Sequence, residues 1–167
     1  NTSLPIQADF SFNLFNHMAA AFMQKNGIHM ATASLELSFG QVKKLVENSP
    51  LPVEVIIHGS YESMICDHDL PGMSLPHAQE LDNPEVYDRR YALLDKAGEK
   101  HSLRIDQYGR NHILFAKDLC LYPYLEKFNG LASYRIEAQD YTPEHTAELV
   151  RAYRQSLDKL SAGQTGC

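Results

Sequence analysis

The chain has 167 residues, enough for one domain with a real core, and its 44% apolar and 22% charged content is ordinary for a globular protein. A formal net charge of −6 argues against a general nucleic-acid binder, whose affinity rests on phosphate neutralisation, and leaves room only for a local basic groove. No apolar run is long enough to cross a bilayer, and the start, NTSLPIQADF, reads straight into structure with no signal peptide.

In chain order, Pro5 to Asn13 reads as a strand leading into a helix near His17 to Lys25, which Asn26-Gly27 stops. Ile28 to Leu37 reads as a second strand. Ser38 with Gln41 three residues later is a capping box, and it opens a helix with Val42, Leu45 and Val46 on one face. Val53 to His58 (VEVIIH) is nearly continuous in apolar residues, as in a strand buried on both faces. Residues 60 to 90 are rich in turn formers and acids and read as an irregular excursion. Tyr91 to Asp95, Lys100 to Asp106 and Asn111 to Phe115, separated by Gly98 and Gly109, form a small antiparallel meander. A helix is expected near Leu121 to Phe128 and a strand over Ala132 to Glu137. Thr142-Pro143-Glu144 starts a last helix that buries Leu149, Val150, Tyr153, Leu157 and Leu160.

Strands alternating with helices imply parallel βα units, about four of them, which is half of an eight-strand barrel; an open sheet fits the same pattern. The expected fold class is therefore α/β, a partial (half) TIM-like β/α barrel with a small antiparallel β insertion. The expected organisation is a single domain over 1–160, with βα units at 1–60 and 111–160, a loop and meander at 61–110, and a disordered tail at 161–167. Cys66, Cys120 and Cys167 are far apart and odd in number, which fits a reducing cytoplasm rather than a disulfide framework. The CDHD run at Cys66 to Asp69 holds zinc-ligand types at unsuitable spacing, so a solvated acidic loop is expected there, and no metal site.

Several segments, in order, resemble the U32 peptidase family, the collagenase-like proteases. They are ADFSFNLFN, SLELSFGQVKKL, PVEVIIHGSYESMI, YALLDKAGEKHSLRID, NHILFAKDLCL and SYRIEAQDYTPEHTAELVRAYRQSL. The resemblance implies a piece of a barrel enzyme whose other half lies upstream. It also implies peptide-bond hydrolysis by the full-length protein, on a peptide or protein substrate. Other family members look like hydroxylases of RNA bases or quinone precursors that carry an iron–sulfur cluster on four cysteines. RNA is the less favoured partner here, and no cofactor is expected, because two internal cysteines do not supply four thiolates. A non-catalytic assembly module is a third reading.

Catalytic groups of a parallel barrel sit at the C-terminal ends of its strands. Those ends hold Glu36, His58, Arg135 and Glu137 as catalytic candidates, and Asn13, Asn16 and Ser34 as substrate-binding candidates. A carboxylate, an imidazole and a guanidinium converging on one rim would suit acid–base chemistry. Glu36 paired structurally with Arg135 is the alternative. Four βα units leave two bare sheet edges, so the chain is expected to be a homo-oligomer.

Overall fold

The computed structural model describes residues 4–68, 70–71 and 91–163. They divide into two compact units, one built from 1–59 and 120–167 and the other from 60–119. Of the tail expected at 161–167, Ser161 still belongs to the last helix and residues 164–167 lie outside the described residues, as does most of the 60–90 excursion.

The first unit is a parallel sheet with helices on one face. Its strands are β1 (Ile6–Ala8), β2 (Ile28–Thr32), β3 (Val53–Gly59) and, late in the chain, β9 (Ser133–Glu137). β1 pairs with β2, β2 with β3 and β3 with β9, all parallel. β9 covers one edge of β3 from Glu54 to Gly59, whereas β2 reaches only Val53 and Glu54 on the other. The two-residue strand β8 (Leu119–Cys120) also adjoins β3, and the next amide, Leu121 N–H, donates to Ile57 C=O at 2.9 Å.

Three helices follow from local signals. α1 (His17–Lys25) starts at Asn16, whose side chain accepts from Ala19 N–H. α2 (Phe39–Asn48) opens on the Ser38–Gln41 capping box. α3 (Pro143–Ser161) starts at Thr142, with proline at the first helical position. Their inner faces and the helix-side residues of the sheet make one core, including Ala8, Leu14, Ala31, Ala33, Val42, Leu45, Val53, Val55, Ile57 and Tyr153.

Three elements and one side chain of this unit differ from expectation. The first strand ends at Ala8, because a 3₁₀ turn (Phe10–Phe12) closes on Asn13 in the left-handed region. Leu14 then rejoins the sheet in a single bridge to Ala33. The second strand ends at Thr32 rather than Leu37. The Tyr122–Lys127 segment is 3₁₀ rather than α, with Pro123 in its first turn. Val150 is about half exposed instead of buried, since it lies on the flank of α3, away from Leu149, Tyr153 and Leu157.

The second unit is an antiparallel sheet in the order β4-β7-β6-β5, formed by Glu62–Cys66, Asn111–Leu114, Lys100–Ile105 and Tyr91–Leu94. β4 falls where only irregular chain was expected; its alternation is masked by the charged and polar Glu62 and Ser63. Two hairpins repeat one Asp-x-x-Gly device. Asp95 Oδ1 accepts from the backbone of Ala97 and Glu99, and Asp106 Oδ1 from the backbone of Tyr108 and Arg110. Gly98 and Gly109 supply the positive φ each turn needs.

A candidate functional site on the polar face of the parallel sheet

Strand alternation sends one set of side chains to the helices and the other to the opposite face. On that opposite face the sheet is polar. Gln7 from β1, Thr32 from β2 and Glu54 from β3 meet, with both Gln7 Nε2 and Thr32 Oγ1 donating to Glu54 Oε1 at 2.9 Å. Arg135 of β9 lies beside them. Its Nη1 pairs with Asp9 Oδ1 at 2.5 Å and approaches Glu54 Oε1 at 3.8 Å, while its Nε pairs with Glu137 Oε1. Glu137 Oε2 accepts from Gln139 Nε2. The Phe10 ring lies 6.0 Å from the guanidinium carbon.

The side chains of Glu54 and Glu137 are 8% and 9% exposed, and Arg135 is 30% exposed. Burial alone would loosen the Arg135 proton. The Asp9 hydrogen bond and the Glu137 and Asp9 charges outweigh it and raise the guanidinium above its ordinary value. Three carboxylates face one guanidinium, so the cluster carries an excess of two formal negative charges.

Of the expected site residues, Arg135 and Glu137 are brought together here. Glu36 is exposed in the segment after β2 and is not among the partners of Arg135, so the expected Glu36–Arg135 pair is replaced by Asp9, Glu54 and Glu137. Ser34 is buried, and its backbone N–H donates to Leu14 C=O. Asn13 serves as a left-handed turn residue and Asn16 as a helix cap, so both have structural work at the strand's end.

His58 does not join the polar face, and a β-bulge is the reason. Ile56 pairs with Arg135 and His58 with Ile136, so two steps on β3 oppose one on β9 and Ile57 is the extra residue. The bulge puts Ile57 and His58 on the same, helix-facing side. His58 Nδ1 meets the Tyr153 hydroxyl of α3 at 3.0 Å, and its ring packs edge-on against Tyr141 and Tyr153. The Tyr153 hydroxyl also donates to Ile57 C=O, and burial raises its pKa well above the usual tyrosine range. After the bulge, Gly59 lies opposite Glu137 at φ +126°, and a Cβ there would fall 2.1 Å from Glu137 O. Only glycine admits this approach of β3 to β9.

Asp9, Glu54 and Gln7 were missed in the sequence. Glu54 had a signal: a carboxylate inside the apolar run VEVIIH needs a buried partner, and Arg135 in SYRIE is such a partner.

Cys66 lies on β4 and Cys120 on β8. With Cys167 they are three thiols, which do not complete the four-thiolate set of a cubane cluster from this chain alone. Among the described residues no group of three His, Cys, Asp or Glu side chains could hold a metal ion. No helix among them is long and apolar enough to cross a membrane.

A mixed α/β chain with a parallel sheet, a separate antiparallel sheet and this polar face matches, over residues 1–166, the sequence profile of peptidase family U32, and the chain belongs to that family. It is similar to the tRNA hydroxylation protein P2 of Bacillus subtilis (strain 168), at 22% identity over 148 residues. That match covers 86% of this chain and 48% of the relative, so the chain spans about half the length of the curated relative it matches. No solved structure matches the chain.

Proposed function

We propose that the parallel sheet is part of a TIM-like β/α barrel and that its polar face holds a nucleobase of an RNA substrate, in a protein that takes part in RNA hydroxylation in the cytoplasm. The observation that carries this reading is the bulge at Ile57. It turns the imidazole of His58 toward α3, so the Arg135 face has carboxylates, amides and a guanidinium but no imidazole from β3 beside a nucleophile. Such a set suits hydrogen bonding and orientation of a planar polar group better than acyl transfer. Its excess of negative charge repels phosphate and favours the N–H edge of a base, which Glu54, Glu137, Gln7 and Gln139 are equipped to read. The name of the similar tRNA hydroxylation protein supports the same choice.

Peptide hydrolysis is the second reading, favoured by the family's description as a peptidase. Titrating the chain with nucleosides and with unstructured peptides separates the two. Saturable nucleoside binding, weakened at least about tenfold by Glu54→Gln through loss of a charge-assisted hydrogen bond, is expected. Peptide cleavage that Glu54→Gln abolishes, without nucleoside binding, would overturn the proposal.

A further inference from the structure

A line of aromatic rings in edge-on contact runs along the helix side of the parallel sheet. It passes from Tyr122 to Tyr153 at 5.2 Å between ring centroids, then to His58 at 5.6 Å, to Tyr141 at 6.1 Å and to His145 at 4.8 Å. Tyr153 is 3% exposed, whereas Tyr122 at the end of the line is 42% exposed and its hydroxyl meets Ser156 Oγ. The sequence holds no tryptophan, so phenols are the rings in this chain most easily oxidised by one electron.

An oxidised phenol is a strong acid, so a tyrosine gives up an electron readily only where a base takes its proton. Tyr153 meets that condition. Its hydroxyl lies 3.0 Å from His58 Nδ1 and 3.3 Å from Ile57 C=O, and that carbonyl already accepts from Leu121 N–H at 2.9 Å. The imidazole is both the nearer partner and the stronger base. The second lone pair of Ile57 C=O would by itself satisfy a buried hydroxyl, so polar satisfaction does not require the imidazole. Burial also holds the phenol proton well above the usual tyrosine range, which closes the route of deprotonation ahead of oxidation. The bulge at Ile57 builds the contact, because it turns His58 to the helix side.

We propose that Tyr153 and His58 form a redox-active pair, and that Tyr122 carries the oxidising equivalent from this pair to the surface. A high-potential one-electron oxidant takes an electron from the Tyr153 ring as the phenolic proton passes to His58 Nδ1. This leaves a neutral phenoxyl radical and an imidazolium. Tyr122 then returns an electron to Tyr153, which recovers its proton from His58. Tyr122 releases its own hydroxyl proton to solvent and becomes the radical. A soluble thiol gives Tyr122 a hydrogen atom and departs as a thiyl radical. In sum, one electron passes from thiol to oxidant and one proton is released. The pair lies on the opposite side of the sheet from Arg135, so this function does not depend on what the Arg135 face binds.

The test uses the full chain carrying Cys120→Ser, which removes a thiol that bonds to the same Tyr153 hydroxyl and competes as a hydrogen donor. Photogenerated tris(bipyridine)ruthenium(III) is the oxidant, and electron paramagnetic resonance follows the tyrosyl signal after the light is cut. Radicals on exposed tyrosines such as Tyr108 couple quickly to dityrosine, so a slowly decaying component is expected from Tyr153. Tyr153→Phe, and separately His58→Phe, which keeps the ring contact and removes the base, are each expected to reduce this component at least about tenfold with unchanged far-ultraviolet circular dichroism. Tyr122→Phe is expected to lengthen its lifetime, and glutathione to shorten it only where Tyr122 is present. Absence of a slow component in the parent protein overturns the proposal, as does a slow component that survives Tyr153→Phe. Survival in His58→Phe overturns it too, because the hydrogen bond would then be structural alone. A lifetime that Tyr122→Phe leaves unchanged overturns the exit through Tyr122.

Discussion

Removing the Arg135 guanidinium leaves Glu54 and Glu137 nearly buried and without their counter-ion. Breaking a buried pair in this way commonly costs about 3–5 kcal/mol, and Arg135 is close to a third exposed, so Arg135→Ala is expected to destabilise by about 2–4 kcal/mol in urea unfolding. Arg135→Lys should recover only part of this, because an ammonium cannot bind Asp9 and Glu137 through two differently directed N–H groups. Gly59 offers a second test at this scale. Gly59→Ala combines a positive φ with a backbone collision, and a loss of about 2 kcal/mol or more in the same assay is expected. Arg135 and Glu137 were legible as strand-end polar residues. Asp9 was not, because its position depends on a turn that the FSFN run does not announce.

At the scale of single elements, the bulge on β3 decides what His58 can do. Because the imidazole sits against Tyr153 on the helix side, His58→Ala should lower stability by about 1 kcal/mol, the net worth of one hydrogen bond, and leave nucleoside binding at the Arg135 face unchanged. Loss of binding would place His58 in the site after all. An extra residue that is itself isoleucine leaves no mark on an apolar run, so the sequence read Val53 to His58 as one regular strand. In the antiparallel sheet, the Asp-x-x-Gly hairpins were legible because glycine and aspartate announce them. Asp106 is held below the usual aspartate range. Partial burial opposes this, and hydrogen bonds from the Arg110 backbone, His112, the Arg110 side chain and the Tyr108 backbone overcome it. Its folded-state pKa is thus lower than its unfolded value of about 3.9. Its contribution is present above that value and is lost as pH falls through the lower folded one. The hairpin amides of Tyr108 and Arg110 should therefore stay protected from hydrogen exchange through pH 4, and Asp106→Asn should remove that acid dependence.

Over the whole molecule, the order β1-β2-β3 follows from short parallel crossovers that the alternation of strands and helices made readable, whereas β9 joins β3 only after the long stretch of residues 60–132. What alternation does not carry is which flank of a helix is covered. That depends on the neighbour, and the apolar residues of α1 and α3 fit core and flank equally well by period alone. Val150 was placed inside for this reason.

The bulge has a bearing on how relatives of this chain are compared. Side chains along a strand obey a parity, and Ile57 resets it within β3. A relative of the same length whose β3 paired with β9 regularly would align residue for residue and yet set His58 opposite Glu137, with the imidazole beside the guanidinium of β9 rather than behind it. The register of β3 against β9, more than the identity of any residue on it, therefore selects whether this face offers a proton-transferring ring.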